Sequence, residues 1–466
     1  MTSSKFFTIP AVVAGALGMG NAVARAAEPT TDELMKQIEQ LQTKVQQLET
    51  KQTAAASGQQ VDATVNRVLE DAQKRSQLLQ MEGFTAGWND GFKIQSADGN
   101  FLLQPYFQFQ FRNVTTFRED AKNGDWDTQN GFEIRRMKFG FKGNAFTPDL
   151  TYNFRWATDR DGGSVFLENA YIQYFFSDDM AFKVGQWKDN WTHEETTSSA
   201  MQLAVDRSLL NELLGGGQTD YIQGVSLIYA PRDGKFRAEI AFHDGANSDN
   251  TDFQDDPGGG GSGLVIDGSL GTQGTNFGFS GRFEFAAMGG WREYEDFTAM
   301  GNKEDLLVIG AGFDWTQASS NNVYFHTVDV QWEPASVAGL GVYAAYVGAY
   351  SDFNDAVDDD FYNWGLLVQA GYMLNDQWEI FGRYDYTSVD DSLAPAGAED
   401  NFSEITAGVN YYMKGHAAKV TIDFTYLPDG VPPSSSIGAD LTGIGFQGTG
   451  DGDDEFVIRG QFQLLL

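Results

Sequence analysis

The sequence predicts an all-β transmembrane barrel of about sixteen antiparallel strands, preceded by a short N-terminal α-helical coiled coil. Three observations point there. Segments of about ten residues alternate apolar and polar side chains along most of the chain. The connections between them alternate short and long. No stretch beyond the N-terminus approaches the ~18 consecutive apolar residues of a spanning helix. Successive side chains of a strand point to opposite faces, so each segment has one oily and one wet side. A membrane structure made of strands must close on itself, because an unpaired edge cannot sit in lipid.

The last stretch states the pattern most clearly. Phe456, Ile458, Gly460, Phe462, Leu464 and Leu466 share one face; Glu455, Val457, Arg459, Gln461, Gln463 and Leu465 share the other. Its C-terminal position makes it the expected closing strand, paired with a first strand beginning near Asn100. In that first strand Leu103, Pro105, Phe107, Phe109 and Phe111 alternate with Gln104, Tyr106, Gln108, Gln110 and Arg112. Pro105 cannot donate a ladder bond and is expected near a strand start or bulge. Similar runs begin near residues 131, 149, 165, 181, 220, 235, 276, 305, 323, 340, 362, 377, 403 and 417. With the first and last they make sixteen, and an even number returns both barrel ends to one side.

Turn chemistry marks the short connections: Thr147-Pro148-Asp149, Ser177-Asp178-Asp179, Pro231-Arg232-Asp233-Gly234, Leu374-Asn375-Asp376-Gln377 and Lys414-Gly415-His416. The long connections are 189–219, 244–275, 351–361, 387–402 and 428–454. Short turns are expected in the periplasm and long loops outside the cell. Trp156, Trp315, Trp332, Trp364, Trp378, Tyr384 and Tyr386 fall on apolar faces, where interfacial girdles use them.

The 466 residues suit a large barrel with an accessory segment. The chain has 65 acidic and 31 basic residues and a formal charge of −34, which argues against a nucleic-acid partner. Cysteine is absent, in keeping with an oxidising compartment. Residues 1–26 read as a signal peptide: Lys5, an apolar run from Phe6 to Gly20, and Ala24-Arg25-Ala26 as cleavage site. Its loss makes the mature chain two units more negative. Residues 27–82 read as a periplasmic helical segment and linker. Thr30 and Glu33 form a capping box. Leu34, Ile38, Leu41, Val45 and Leu48 form a heptad seam that leans toward two strands by the a/d rule. Ala54 to Gln60 breaks it, and Val61 to Leu79 resumes helical spacing. The barrel domain is expected over 83–466.

Several motifs resemble the phosphate- and pyrophosphate-selective porin family (outer-membrane O/P-type porins). The first is Phe132-Glu133-Ile134-Arg135-Arg136-Met137-Lys138-Phe139-Gly140-Phe141-Lys142-Gly143. Leu167 to Ile172, Phe182 to Lys188, Glu194 to Ser199, Asp206 to Leu209, Phe381 to Tyr386, Ala407 to Tyr412 and Arg459 to Gln463 follow in the family's order. The likeness spans roughly 100–466. It implies a sixteen-stranded trimeric outer-membrane barrel, a long loop folded into the lumen, an N-terminal coiled coil in some members, and diffusive uptake of small anions past basic pore-lining residues. Leu466 departs from the aromatic residue that usually ends such a strand, and the loops are unusually acidic.

A pore selects by the charges it presents at close range. The polar strand faces supply Arg112, Arg136, Lys138, Lys142, Arg155, Lys183, Arg237, Arg282, Arg383, Lys419 and Arg459 as candidate anion-binding residues. Guanidinium groups grip phosphate oxygens in pairs, whereas lysines act as point charges. Lys188 and Arg207 flank the expected constriction loop. Arg136, Lys138, Lys142 and Arg155 are expected to form a basic wall with no lumenal acid beside it, and neutralising Arg136 and Lys138 together is expected to lower anion conductance. The later strands carry Glu239, Glu284, Asp329, Glu333, Glu379, Asp385 and Asp423, with Arg237/Glu239, Arg282/Glu284 and Arg383/Asp385 as neighbours along a strand. Acid runs lie at 249–256, 358–360 and 451–455. Without an EF-hand spacing they read as solvated or lipopolysaccharide-bridging loops.

No cofactor or metal is expected. The four histidines, His193, His243, His326 and His416, do not form H-E-x-x-H, and no G-x-S-x-G elbow is present. The expected function is an outer-membrane porin, a water-filled diffusion channel for small solutes, anions such as phosphate first among them, and not an enzyme. Its partners are outer-membrane lipid, small anionic solutes and two further copies of the chain. The alternatives are a general or cation-preferring porin, as the net charge suggests, and a surface structural or adhesive barrel with a blocked lumen.

Overall fold

The computed structural model describes residues 31–52, 83–88, 91–119, 126–160, 162–246, 264–265, 272–273, 275–318, 321–352, 360–393, 399–432, 441–446 and 454–466. The signal segment, Ala54 to Leu79 and most of the three acid runs lie outside them. Contacts divide the chain into two units, 1–82 and 83–466. In the first, helix α1 covers Thr31–Gln52 and leaves Met35, Ile38, Leu41 and Val45 exposed.

The second unit is a closed barrel of sixteen antiparallel strands. They are β1 (Leu102–Glu119), β2 (Trp126–Ala145), β3 (Thr147–Thr158), β4 (Val165–Phe175), β5 (Met180–Lys188), β6 (Tyr221–Tyr229), β7 (Phe236–His243) and β8 (Thr275–Met288). There follow β9 (Leu306–Ala318), β10 (Asn321–Glu333), β11 (Leu340–Asp352), β12 (Phe361–Met373), β13 (Trp378–Ser388), β14 (Asn401–Tyr412), β15 (Ala418–Leu427) and β16 (Glu455–Leu465). Each pairs with the next in sequence, and β16 pairs with β1. Every run expected from alternation is a strand. The largest shift is at β2, which begins at Trp126 rather than near 131. An extra hairpin, Phe84–Trp88 with Phe92–Ser96, attaches to the start of β1 through Ile94 and Leu103.

Closure is set at the shared end. Gln461 lies opposite Arg112, and Leu465 opposite Gln108. Beyond them the Phe107 and Leu466 backbones exchange both hydrogen bonds at 2.9 Å, so the ladder closes without a terminal aromatic. Pro105 lies past the last β16 partner and faces β2 alone in the ladder, where its missing N–H costs nothing.

Burial is inverted relative to a water-soluble protein. Ile309, Val328, Leu366, Val368, Ile405 and Ile422 are 45–55% exposed. Gln331, Thr406, Asn410 and Gln463 are at most 1% exposed. The apolar faces therefore point outward to lipid and the polar faces inward.

Among the described residues, register shifts interrupt four of the ladders, and two of these shifts bear on the lumen. Gln110 faces Arg136 and Phe111 faces Ile134, which leaves Arg135 as the extra residue. Arg155 faces Asn169 and Trp156 faces Leu167, which leaves Glu168 extra. A bulge re-aims its side chain, and both turn a charge inward.

Candidate functional site

The chain between β5 and β6 folds into the barrel. It carries three short helices: α2 (His193–Thr196), α3 (Leu209–Leu214) and α4 (Gly216–Thr219). Its foot is tied by the Asp189 N–H, which donates to Asp220 O at 2.9 Å. Trp191, Leu203, Leu209, Leu210, Leu213 and Leu214 form a dry core with Phe325, Tyr343, Val347 and Leu367 of the wall. Glycines permit that approach: a Cβ on Gly312 would lie 1.9 Å from Trp191 O, and one on Gly365 would lie 2.3 Å from a Leu210 methyl. On the β1–β16 side, Gln108 Nε2 donates to Ser199 Oγ at 3.0 Å and Gln463 Nε2 to Ala200 O at 3.1 Å.

The space left between this loop and the wall of β2 to β5 is a cavity of about 310 Å³. Lys138, Arg155, Lys183, Lys188 and Arg207 line it, with Glu195 as the one carboxylate. Asn169, Asn190, Ser198 and Ser199 supply neutral polar groups, and Tyr171 and Trp187 flat apolar ones. The cations are held, not loose. Glu168 takes Lys138 and Arg155, each at 2.6 Å. Glu239 takes Lys183 at 2.6 Å, and the Lys183 ammonium sits 4.3 Å from the Trp187 ring centre. Glu195 pairs with Lys188 and, at 3.1 Å, with Arg207. Counted by formal charge, five basic side chains against three carboxylates make the cavity wall positive.

The expectation of a basic wall free of acids is thus corrected. Glu168, turned inward by its bulge, serves Lys138 and Arg155. Asp206, delivered by the loop, serves Arg136 at 3.0 Å together with Arg112, Arg135 at 2.9 Å and, at 3.8 Å, Arg459. Burial alone would raise the Asp206 carboxyl; these guanidinium groups overcome it and hold it well below the usual carboxylate range. Arg112 also meets Glu133 at 2.5 Å.

The later strands hold their cations in place too. Arg282 is bidentate on Asp329 at 2.8 Å and also meets Glu284 at 2.7 Å. Arg383 takes Glu404 at 2.6 Å, not its neighbour Asp385, and donates to Asp206 O at 2.9 Å. Arg237 lies 4.3 Å from the Trp291 ring rather than against Glu239. Arg459 takes Asp423 at 2.8 Å. Lys419 donates to Gln202 O at 2.8 Å. Lys142 is exposed, opposite Gln104 and Asn153. Of the thirteen basic residues singled out from sequence, the structure brings Lys138, Arg155, Lys183, Lys188 and Arg207 to one cavity. Apart from the exposed Lys142, the others clamp the loop or pair within the wall. Arg135, Glu168 and Glu195 were not foreseen. Period-2 reading cannot register a bulge, and Glu195 depends on how the loop folds.

Asp189, His243 and Asp314 bring ligand-type atoms within 4.8 Å of one another. The Gly245 N–H donates to His243 Nδ1 at 3.1 Å. Neutral His243 therefore carries its proton on Nε2, 3.0 Å from Asp314 Oδ2, and offers that position no lone pair for a metal.

Comparison with known proteins bears on this geometry. Residues 107–262, which run from within β1 through β7 and include the inward loop, match the family model described as phosphate-selective porin O and P. The resemblance to that family holds. An uncharacterised protein of Aquifex aeolicus (strain VF5) is 23% identical over 328 residues, 64% of this chain and 76% of the relative. The anion-selective porin from Comamonas acidovorans superposes with a TM-score of 0.52 at 10% identity, covering 78% of this chain and 99% of the other. OmpF of Salmonella typhi, solved in complex with daunomycin, gives 0.51 at 15% identity, covering 82% and 100%. The chain has the porin fold, an outer-membrane barrel with a loop folded into its lumen, and that architecture points to a channel rather than an enzyme.

Proposed function

We propose that the protein is a passive outer-membrane channel that prefers small anions, phosphate among them. The observation that carries this reading is the cavity at the inward loop, which five cations and one carboxylate line. A positive constriction with neutral hydrogen-bond donors attracts anions and exchanges part of their hydration shell. Phosphate fits the family description, and anion selectivity is the printed property of the Comamonas porin. Residues 1–26 serve as signal peptide, 27–82 as a periplasmic helical segment that trimerises the chain, and 83–466 as the barrel. The exposed Ile38, Leu41 and Val45 stripe of α1 supports self-association. The short-turn mouth then faces the periplasm.

A second reading, cation preference, draws on the formal charge of −34 and the acidic loops. The zero-current potential of pure protein in a planar bilayer under a potassium chloride gradient separates the two. Anion preference gives the sign set by chloride; the potassium sign would replace the first reading with the second. A protein that conducts nothing would favour the blocked structural barrel.

A further inference from the structure

The connection between β8 and β9, residues 289–305, departs from the alternation of short and long. It leaves the barrel at the mouth of the short turns, yet it is long and turns back into the lumen. Trp291 Nε1 donates to Gly234 O of the neighbouring turn at 2.6 Å. The Tyr294 hydroxyl accepts from Arg282 at 2.8 Å, and its ring stacks on His193 of the inward loop at 3.9 Å between centres and 3° between planes. Phe297 packs 4.8 Å from Tyr343 on β11. Gln331 on β10 donates to Asp296 O at 2.7 Å, and Thr298 donates to Glu379 on β13 at 2.7 Å. Asp296 lies 3.4 Å from His416 in the turn after β14. These anchors run from β8 to the β14–β15 turn, which in a sixteen-stranded barrel is a chord across the mouth.

The chord lies on the side that the loop core already fills. Tyr294 and Phe297 are buried, and the Phe297 backbone is so near β11 that a Cβ on Gly341 would sit 2.9 Å from its carbonyl oxygen. His193 joins the two intrusions: it stacks on Tyr294 while its Nε2 lies 3.0 Å from Gln331 Oε1. Burial first, and then the Arg282 charge, lowers the His193 ring to about 4, so it stays neutral and suits an apolar stack.

We propose that residues 289–305 are a second size- and route-determining element, a strap that closes the β9–β13 half of the short-turn mouth and confines solutes to the basic wall of β2 to β5. Tyr294 and Phe297 are its positioning residues: they hold the inward loop against the far wall and thereby fix the width of the cavity that Lys138, Arg155, Lys183, Lys188 and Arg207 line. This inference deepens the channel reading and rests on it.

The test uses the full-length protein in planar bilayers with symmetrical salt. One variant replaces 291–302 with a short glycine-serine turn. A second, Tyr294→Ala with Phe297→Ala, keeps the backbone and the Thr298, Asp296 and Trp291 anchors, and decides the matter where the first does not assemble. Single-channel conductance is expected to rise about twofold or more in either, and neutral polymers excluded from the parent pore are expected to enter. Parent-like conductance and polymer cut-off in a folded double variant would overturn the strap. The channel reading fails separately. A parent that conducts nothing but gives current once the strap is cut would overturn the open channel and leave the strap standing.

Discussion

Asp206 of the inward loop pairs with three guanidinium groups of the wall. Removing one partner of a buried ion pair leaves uncompensated charge and costs about 3–5 kcal/mol. Asp206→Asn is therefore expected to lower the unfolding midpoint in detergent and to make open-channel current noisier as the loop loosens; a midpoint equal to the parent's would show that the clamp is not what holds the loop. Asp189, at the loop's foot, behaves in the opposite sense. Burial first, and then the Asp314 charge, pushes its carboxyl up to about 8. A raised carboxyl binds its proton more tightly in the folded chain than in the unfolded one, where it titrates at about 4. Its contribution is therefore full below about pH 4 and is lost as pH rises toward about 8. Asp189→Asn should remove that fall, so the midpoint difference between variant and parent should grow from pH 4 to pH 8. A constant difference would contradict the assignment. The expected joint effect of Arg136 and Lys138 now divides. Lys138 lines the cavity, and Lys138→Met should reduce anion conductance; Arg136 binds Asp206, and Arg136→Met should act through loop docking and thermal midpoint.

At the scale of elements, strand positions were legible because a half-lipid, half-water environment imposes a strict period of two. The inward loop was legible through its motifs, Glu194 to Ser199 and Asp206 to Leu209. The bulges at Arg135 and Glu168 were not, since an inserted residue looks like ordinary sequence until its partner strand is known. They decide the site, because Arg135 and Glu168 reach the lumen through them. The dry core within the lumen was equally hidden. Val323, Phe325, Tyr343, Val347 and Leu367 face inward as apolar residues among polar ones, and they do so because the loop covers them. Glycine marks the same contact. Gly312→Val should block docking of Trp191, since the added Cβ meets its carbonyl oxygen. The expected result is a less heat-resistant barrel with larger conductance, read by gel mobility after stepwise heating and by bilayer recording. Parent-like values for both would mean that the loop does not lie against β9.

For the whole molecule, charge has to be read by place rather than by total. The chain carries a formal charge of −34, yet the cavity at its inward loop is lined by five cations and one carboxylate. Field lines concentrate in a narrow low-dielectric passage, so charges there outweigh more distant ones, which salt screens within about 10 Å at 0.1 M. The acidic outer loops should therefore matter at low salt and fade at high salt. Anion preference that strengthens with rising ionic strength would show that signature.

On the proposed channel reading, the cavity between the inward loop and β2 to β5 sets the selectivity. This is tested most directly by the zero-current potential of Lys138→Gln, Lys183→Gln, Lys188→Gln in one chain, measured against the parent in the same salt gradient. Anion preference is expected in the parent and a shift to cation preference in the variant, where Glu168, Glu195 and Glu239 lose those partners. Identical potentials in the two proteins would contradict it.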